Sequence, residues 1–215
     1  MNIGVLGTGV VGNTIGAKLV DLGHSVMIGA RSAVNEKAAN FVKHAGSRAS
    51  HGTFAEAAEY GEIIFNCTKG DVTLDVLNMA GPENLKGKIL IDVTNPLDFT
   101  KGFPPNLFVS NTDSLGEMIQ RNFPDVYVVK ALNTMNCMLM VNPSSIKGEH
   151  AAFICGNDAG AKGRVEDILR NWFGWREVYD LGDITNARGT EMVLPLWIRL
   201  YGKFQNANFN FHIVK

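Results

Sequence analysis

The chain has 215 residues, of which 46% are hydrophobic, and it carries 20 Lys and Arg against 21 Asp and Glu. This length allows one domain with a buried core and a short elaboration. A net charge of −1 provides no single-sign field, so we expect neither nucleic acid nor a membrane as a partner. The three cysteines show no CxxC spacing, which argues against a disulfide framework or a metal site and favours the cytoplasm.

Short β-rich runs alternate with longer helical segments over the first 180 residues. Strands are predicted at residues 3–6, 25–28, 48–50, 63–66, 89–92, 126–129, 152–155 and 177–179. Helices are predicted at residues 11–22, 35–45, 54–60, 72–80, 115–122 and 161–172. This alternation is typical of βαβ units, so it predicts an α/β fold with a doubly wound parallel sheet.

The pattern changes after Asp180. A loop at residues 181–187 leads into a predicted helix at 188–200, which Pro195 should kink or divide, and a tail rich in Phe and Asn follows. Because no low-complexity linker precedes it, we interpret residues 181–215 as a C-terminal helical flap on the domain formed by residues 1–180. Trp197 in this flap is a candidate for stacking on a planar acceptor.

Residues 2–13 contain Gly7, Gly9 and Gly12 in the spacing GxGxxG, after the first strand and at the start of the first helix. In that context the motif predicts a dinucleotide site of the Rossmann type, although a glycine-rich turn in another α/β protein is the alternative. Gly7 would make the tight turn, Gly9 would admit a pyrophosphate close to the backbone, and Gly12 would let the helix pack on the strand. The helix N-terminus supplies free N–H groups to the phosphates.

The second predicted strand is followed by Arg31 and Ser32. An NAD-specific site has an Asp or Glu at this place, about 20 residues past the motif, to bind the ribose hydroxyls. Arg31 and Ser32 instead suit a 2′-phosphate, and two charge-assisted hydrogen bonds would favour the phosphorylated cofactor about a hundredfold. We therefore expect NADP(H); the alternative is that Arg31 is a solvated loop residue.

Further ligand contacts are expected at the carboxyl ends of the other strands, where an open α/β sheet binds its ligands. Candidates along the path from adenosine to nicotinamide are Thr68, Lys69, Asn95 and Pro96. The amide of Asn133 could orient the nicotinamide or the acceptor. For each of these residues, ordinary turn chemistry is the alternative.

Three stretches beyond the glycine motif and Arg31 carry a resemblance to a known family. They are residues 130–134 (Lys-Ala-Leu-Asn-Thr), residues 153–158 (Phe-Ile-Cys-Gly-Asn-Asp) and residues 180–188 (Asp-Leu-Gly-Asp-Ile-Thr-Asn-Ala-Arg), the last with Glu191 and Pro195. On these residues the chain resembles the NADP oxidoreductases that reduce the deazaflavin coenzyme F420. The resemblance implies one small domain that holds NADP(H), a C-terminal helical element that completes the deazaflavin pocket, and commonly a dimer.

The resemblance also implies roles for individual residues. It assigns the pyrophosphate to Thr8, Gly9, Val10 and Val11, the 2′-phosphate to Arg31 and Ser32, the nicotinamide to Asn133, and the substrate side to Thr134, Arg188 and Glu191. By spacing alone, Arg188 and Glu191 could equally form an ion pair within one helix. The sequence departs from the deazaflavin-reducing branch at residues 135–137, where we expect a Pro-Ala pair, and at 182–183, where we expect Gly-Pro, so the acceptor stays open.

The leading hypothesis is a cytoplasmic, homodimeric NADPH-dependent oxidoreductase. It would pass hydride between NADP(H) and a small redox acceptor such as coenzyme F420 or a flavin-like ring. Because the cofactors carry the chemistry, the protein would supply alignment and no acid–base side chain. The alternatives are a regulatory module that binds NADP(H) without turnover and an imine or hydroxyacid reductase, which shares the N-terminal half.

Overall fold

The computed structural model describes residues 1–215 as an α/β fold. Its strands are β1 (Asn2–Leu6), β2 (Ser25–Ala30), β3 (Ala49–Thr53), β4 (Ile63–Asn66), β5 (Ile89–Asp92), β6 (Leu97–Asp98), β7 (Asn106–Leu107), β8 (Tyr127–Ala131), β9 (Ala151–Gly156) and β10 (Glu177–Asp180). Eight of them form one sheet in the order β3-β2-β1-β4-β5-β8-β9-β10, while β6 and β7 form a separate antiparallel hairpin. This sheet confirms the predicted doubly wound architecture.

Helices cover both faces of the sheet. They are α1 (Val10–Asp21), α2 (Glu36–Ala45), α3 (Phe54–Tyr60), α4 (Thr73–Ala80), α5 (Pro82–Leu85), α6 (Leu115–Asn122), α7 (Cys137–Val141), α8 (Ala159–Asp167), α9 (Ala187–Met192) and α10 (Leu194–Phe204). A π-helical segment, Ile168–Phe173, continues α8. None of the helices combines the length and the apolar character needed to cross a bilayer.

The predicted strands and helices are all present, with ends that shift by a few residues. The sequence analysis missed the β6–β7 hairpin, α5 and α7, which are short. The division of the last helix near Pro195 is confirmed, because α9 ends at Met192 and α10 begins at Leu194 with Pro195 in its first turn. A proline is tolerated there, since the first helical N–H groups have no partner within the helix.

The parallel arrangement predicted for the sheet is interrupted at β9. This strand pairs antiparallel with β8, and β10 pairs parallel with β9, so both run against the other six strands. An apolar run with period two has the same pattern in either direction, so the sequence carried no signal for the reversal.

The C-terminal flap, residues 181–215, begins directly after β10 and packs back onto the domain. Leu181 N–H donates to the Ile154 carbonyl at 2.9 Å, and Ile184 and Ala187 are buried against α6. Farther on, the Phe211 carbonyl accepts from Ala151 N–H at 2.9 Å. These contacts tie the flap to β9 and to α6.

Candidate cofactor and active site

The strand order reverses between β1 and β4, which are neighbours although β2 and β3 intervene in the chain. In open α/β sheets, ligands bind at such a switch point, outside the carboxyl ends of the strands. Here that edge is formed by the ends of β1, β2, β4, β5 and β8, which we call the carboxyl edge. All the predicted cofactor residues follow one of these strands.

The glycines after β1 make a turn that tolerates no side chain at two of its three positions. Gly7 has φ +112°, and a Cβ there would lie 2.8 Å from the Cys67 carbonyl oxygen in the loop after β4. A Cβ on Gly12 would lie 2.0 Å from the Gly7 carbonyl oxygen. The strand, the turn and α1 can therefore approach this closely only with glycines at both positions. Gly12 thus packs on the turn itself as well as along the strand.

The N-terminus of α1 is open to solvent. Gly9 is its N-cap, no side chain caps the helix, and its first turn holds no acidic residue. A Cβ on Gly9 would meet nothing within 4 Å, and Val10 is 72% exposed. Uncapped N–H groups at the positive end of the helix dipole therefore face free space, which suits a phosphate group. Thr8 and Val11 are half-buried on either side of this N-terminus.

Arg31 and Ser32 lie at the end of β2, which pairs with β1, and both are exposed. The Ser32 hydroxyl accepts from Val34 N–H at 3.2 Å, so the loop curls around this hydroxyl. The guanidinium of Arg31 takes part in none of the ion pairs of the structure. A cation and a hydroxyl are thus held on the same edge as the glycine turn.

The loops after β4 and β5 pack tightly against each other. A Cβ on Gly70 would lie 2.0 Å from the Asn95 carbonyl oxygen. The Thr68 hydroxyl donates to Asn66 Oδ1 at 2.8 Å and lies 2.9 Å from the Thr73 hydroxyl, so internal partners hold it. Lys69 is exposed at the same loop. Of these two candidates, Lys69 has the freer side chain.

Asn95 and Asn133 form a reciprocal amide pair between the loops after β5 and β8. Asn95 Nδ2 donates to the Asn133 carbonyl at 2.8 Å, and Asn133 Nδ2 donates to Asn95 Oδ1 at 3.0 Å. Asn133 is 2% exposed, and its Oδ1 has no hydrogen-bond partner. Pro96, buried next to Asn95, accepts from Phe108 N–H at 3.0 Å through its carbonyl, which ties the β6–β7 hairpin to this pair.

The turn between β8 and Asn133 has an unusual backbone. Leu132 has φ +61°, a left-handed conformation that costs a residue with a side chain roughly 1–2 kcal/mol. Such conformations persist only where neighbouring contacts enforce them, and they concentrate at functional sites. Thr134, which follows Asn133, is 1% exposed and its hydroxyl also lacks a partner.

Below this turn lies a buried row of polar side chains. Asn66, Asp92 and Lys130 occupy matched positions on β4, β5 and β8, so their side chains point to the same face. Asn66 Nδ2 donates to Asp92 Oδ1 at 2.9 Å, and Lys130 Nζ donates to Asp92 Oδ2 at 2.7 Å. The sequence analysis quoted Lys130 but gave it no role, because its partners are distant in the chain.

Arg188 and Glu191 lie in α9, but they do not pair with each other. Glu191 is 1% exposed and lies 2.7 Å from Lys130 Nζ, whereas Arg188 donates Nε and Nη2 to Glu117 at 2.8 and 2.5 Å. The alternative of an ion pair within one helix is therefore wrong. Three-residue spacing permitted that pair, but each side chain has a stronger partner outside α9.

An aromatic cluster closes the end of the flap. Trp197 stacks on Tyr201 of α10 and on Phe209 of the tail, with ring centroids 5.7 and 5.2 Å apart. The indole Nε1 is buried and has no partner. Asn136 Nδ2 donates to the Ala207 carbonyl, so the tail is bound directly beside the Asn133 turn.

An open groove of about 450 Å³ separates the β6–β7 hairpin from α9 and α10. Its lining includes Pro104, Pro105, Leu107, Met192, Pro195 and Arg199. The volume falls within the range of small-molecule sites. One wall of the groove, the hairpin, is tied to Pro96 through Phe108 N–H.

Two of the three cysteines, Cys67 and Cys155, are buried and offer no nucleophile. Burial raises the pKa of the Cys67 thiol, and burial raises the pKa of Cys155 to about 12, beyond the opposing effect of Lys130. Both thiols therefore stay protonated at neutral pH.

A nicotinamide dinucleotide fits the residues that are present. At one end, Gly9 and the uncapped N-terminus of α1 leave free space for a phosphate, into which a Cβ on Gly9 would project. At the other, the partnerless oxygens of Asn133 and Thr134 are buried, and buried polar atoms in native proteins ordinarily have partners. Asn13, one residue past the glycine motif, adds a third such oxygen near the α1 N-terminus; the sequence analysis did not select it.

Comparison with known proteins gives a consistent result. The family model for NADP oxidoreductase, coenzyme F420-dependent, matches residues 2–96. A solved structure from Arthrobacter sp. FB24, named a candidate F420-dependent NADP reductase, is 48% identical to the chain. That match covers 99% of both chains with a TM-score of 0.94.

Two curated relatives are more distant. The F420-dependent NADP reductase of Methanothermobacter marburgensis is 28% identical over 211 residues, which cover 93% of this chain and 92% of the relative. Metalloreductase STEAP3 of Rattus norvegicus is 28% identical over 200 residues, which cover 91% of this chain and 37% of the relative. The chain thus spans little more than a third of the length of the metalloreductases that it matches.

Proposed function

The chain belongs to the coenzyme F420-dependent NADP oxidoreductase family, and from this premise we propose that it transfers hydride between NADP(H) and a small redox acceptor. One observation carries the proposal. A phosphate cradle beside a free arginine and a pair of partnerless buried oxygens lie on one sheet edge, at the two ends that a dinucleotide would bridge.

The cofactor is NADP(H), held from end to end by residues of the carboxyl edge. The N–H groups around Thr8, Gly9, Val10 and Val11 bind the pyrophosphate, and the Gly7 and Gly12 turn shapes this cradle. Arg31 and Ser32 bind the 2′-phosphate. Thr68, Lys69, Asn95 and Pro96 shape the path toward the nicotinamide, and Asn133 accepts a hydrogen bond from its carboxamide through the free Oδ1.

The protein contributes position and exclusion of water. When bound, NADP(H) supplies a hydride from its nicotinamide ring or accepts one there. Asn133 fixes the ring plane because its own plane is fixed by Asn95. The α9–α10 segment and the tail shield this end of the edge. Correct alignment of donor and acceptor can lower a barrier by roughly 7–11 kcal/mol, so no side chain needs to transfer a proton to the nicotinamide.

The acceptor occupies the groove between the hairpin and α9–α10, with Arg199 at its rim. A planar acceptor with an anionic chain matches this lining, and coenzyme F420 and flavin nucleotides both have this form. Arg188 and Glu191 shape the site from α9 through their ties to Glu117 and Lys130. The departures at residues 135–137 and 182–183 keep both acceptor classes in the proposal.

The test uses purified protein, both nicotinamide coenzymes and an acceptor panel. We expect NADPH to bind more tightly than NADH by calorimetry, and bound NADPH to be oxidised by coenzyme F420 or by FMN. Riboflavin, which lacks the phosphate of FMN, should have a higher KM than FMN as the acceptor. Binding of NADPH with no oxidation by F420, flavins, quinones or ferric chelates would instead establish a non-catalytic binding module. Absence of NADPH binding would overturn the proposal.

The proposal includes a cytoplasmic homodimer. Exposed apolar side chains on α10 and the hairpin favour self-association, among them Leu196 at 54%, Phe204 at 55% and Phe103 at 67% exposure. The cysteines are free thiols, as is usual in a reducing compartment. Light scattering with size-exclusion chromatography measures the oligomeric state directly, and a monomeric mass would contradict the dimer.

A further inference from the structure

Lys130 is a fully buried cation that the proposed hydride transfer does not use. Its side chain is 0% exposed, as is that of Asp92, and its Nζ lies 2.7 Å from both Asp92 Oδ2 and Glu191 Oε1. A third donation goes to the Thr94 carbonyl at 2.9 Å. All three ammonium protons therefore have acceptors.

The ammonium group keeps its charge in this environment. Burial alone would lower the pKa of Lys130, but the carboxylates of Asp92 and Glu191 outweigh burial and raise it. A buried ion triad contributes little net stability compared with well-packed apolar residues, although removal of one member is strongly destabilising. Stability alone therefore does not explain its presence.

One branch of the triad leads to the amide of Asn133. Asp92 Oδ1 accepts from the Thr94 hydroxyl at 2.8 Å, and Lys130 holds the Thr94 carbonyl. Thr94 precedes Asn95, whose side chain pairs with Asn133 in both directions. Lys130 thus fixes the loop that orients Asn133 Oδ1.

The same side chain anchors the strained turn from below. Leu132, at φ +61°, lies between Lys130 on the sheet side and Asn133 on the ligand side. A left-handed leucine persists only where the surrounding structure enforces it. The tether of Lys130, two residues before Leu132, and the amide pair of Asn133, directly after it, supply such constraints.

The second branch leads to the flap. Glu191 accepts from Lys130 and, in addition, from the N–H groups of Leu115 and Gly116 at 2.8 and 3.0 Å. One carboxylate therefore binds α9 to β8 and to the first turn of α6. Because α10 follows α9 directly, the position of the groove wall that these helices form also depends on the ammonium group of Lys130.

We propose that Lys130 is a positioning residue that sets the nicotinamide-side amide and the acceptor-side helices in register with each other. This role rests on the proposed function. It predicts that loss of the Lys130 tether weakens recognition of the nicotinamide half of the cofactor while recognition of the adenosine half is unchanged.

The experiment compares two ligands, NADP⁺ and 2′,5′-ADP, which share the phosphorylated adenosine half. Lys130→Met would leave two buried carboxylates without a cation, so the main variant is the double variant Lys130→Met/Glu191→Gln, which keeps the formal charge of the triad. We expect its Kd for 2′,5′-ADP to match the wild type, while its preference for NADP⁺ over 2′,5′-ADP falls about tenfold, as for one lost hydrogen bond. Turnover should fall about 100-fold, as for a misplacement near 1 Å.

Two further variants separate positioning from general destabilisation. Glu191→Gln alone keeps the tether to Thr94, so it should raise KM for the acceptor and leave the ligand preference unchanged. Lys162→Met removes another lysine ion pair, between Lys162 of α8, whose side chain is 13% exposed, and Asp180 of β10. That variant should lower Tm without changing the ligand preference or the stereospecificity of deuteride transfer from 4-deuterated NADPH.

The outcomes distinguish the two proposals. If the folded double variant retains the wild-type preference for NADP⁺ over 2′,5′-ADP, Lys130 has no positioning role, whatever its Tm. If Lys162→Met lowers that preference equally, the effect is general destabilisation and the inference is again wrong. If the wild type binds both ligands but reduces no acceptor, the proposed function fails while the ligand comparison still tests Lys130. A wild type that binds neither ligand overturns both.

Discussion

The two ends of the carboxyl edge are built in opposite ways. Around the glycine turn and Arg31, the groups that suit phosphate are exposed, and the recognition elements are backbone N–H groups and one free guanidinium. Around Asn133, the polar side chains are buried and, apart from Asn133 Oδ1 and the Thr134 hydroxyl, they are bonded within the protein, with Lys130 at the centre of that network. Phosphate recognition thus depends on backbone shape, whereas nicotinamide recognition depends on side chains that position one another.

This contrast predicts two kinds of sensitivity. A change at the glycine end should weaken cofactor binding, either by steric exclusion or by loss of one charge contact. Substitutions at neighbouring positions should leave cofactor affinity unchanged. A change at the nicotinamide end should spread through the network and alter both ligand preference and turnover. The following variants test this difference, from the largest expected effect to the smallest.

Gly12→Ala should have the largest effect on binding. Its Cβ would lie 2.0 Å from the Gly7 carbonyl oxygen, so the turn must open, and overpacking of this kind costs roughly 1–3 kcal/mol. We expect NADPH affinity to fall about 100-fold by calorimetry. Gly163→Ala is the matched control, since nothing lies within 4 Å of the added Cβ in α8; equal losses in the two variants would refute the steric explanation.

Arg31→Ala should reduce the preference for NADPH over NADH by about 10- to 100-fold, as for one or two charge-assisted hydrogen bonds. Affinity for NADH should hardly change, because Arg31 serves only the 2′-phosphate. Arg48→Ala provides the control, since that guanidinium donates to the Gly23 carbonyl at the opposite edge of the sheet. An unchanged coenzyme preference in Arg31→Ala would leave Arg31 a solvated loop residue.

The sequence predicted the glycine end well because its signals are local. The strand, the glycine turn, α1 and Arg31 fall within about thirty residues, which is the length of one βαβ unit. The nicotinamide end was predicted only as single polar residues at strand ends. Its partners are remote in the chain: Asp92 lies 38 residues from Lys130, and Glu191 lies 76 residues from Leu115. No local pattern reports such pairs, so the buried triad was missed.

Asn133→Ala should have an intermediate effect. It removes the free Oδ1 and half of the amide pair with Asn95, so NADP⁺ affinity should fall about tenfold while 2′,5′-ADP affinity is unchanged. Asn84→Ala is a suitable control because Asn84 Nδ2 donates only to the Ala80 carbonyl. A loss of affinity for both ligands would mean that Asn133 supports the whole domain rather than the nicotinamide.

The smallest effect concerns acid pH. Hydrogen bonds from Arg188 lower the pKa of Glu117 below its ordinary value of 4.5. This pair therefore adds stability above about pH 4.5, and the contribution is lost as the pH falls through the lowered pKa. In urea unfolding, Arg188→Gln should be less stable than the wild type at pH 7, and the difference should shrink as the pH falls below 4.5. A difference that does not shrink in acid would show that packing, not charge, binds α9 to α6.

The left-handed turn at Leu132 also bears on how the protein fails when heated. Because this turn is strained and is held by a few side-chain hydrogen bonds, we expect it to lose its geometry before the sheet unfolds. Catalytic half-life is therefore expected to shorten at temperatures where the circular dichroism of the sheet is still that of the native state. Variants with a longer catalytic half-life would then come from substitutions that stabilise the Leu132 turn rather than from substitutions in the hydrophobic core.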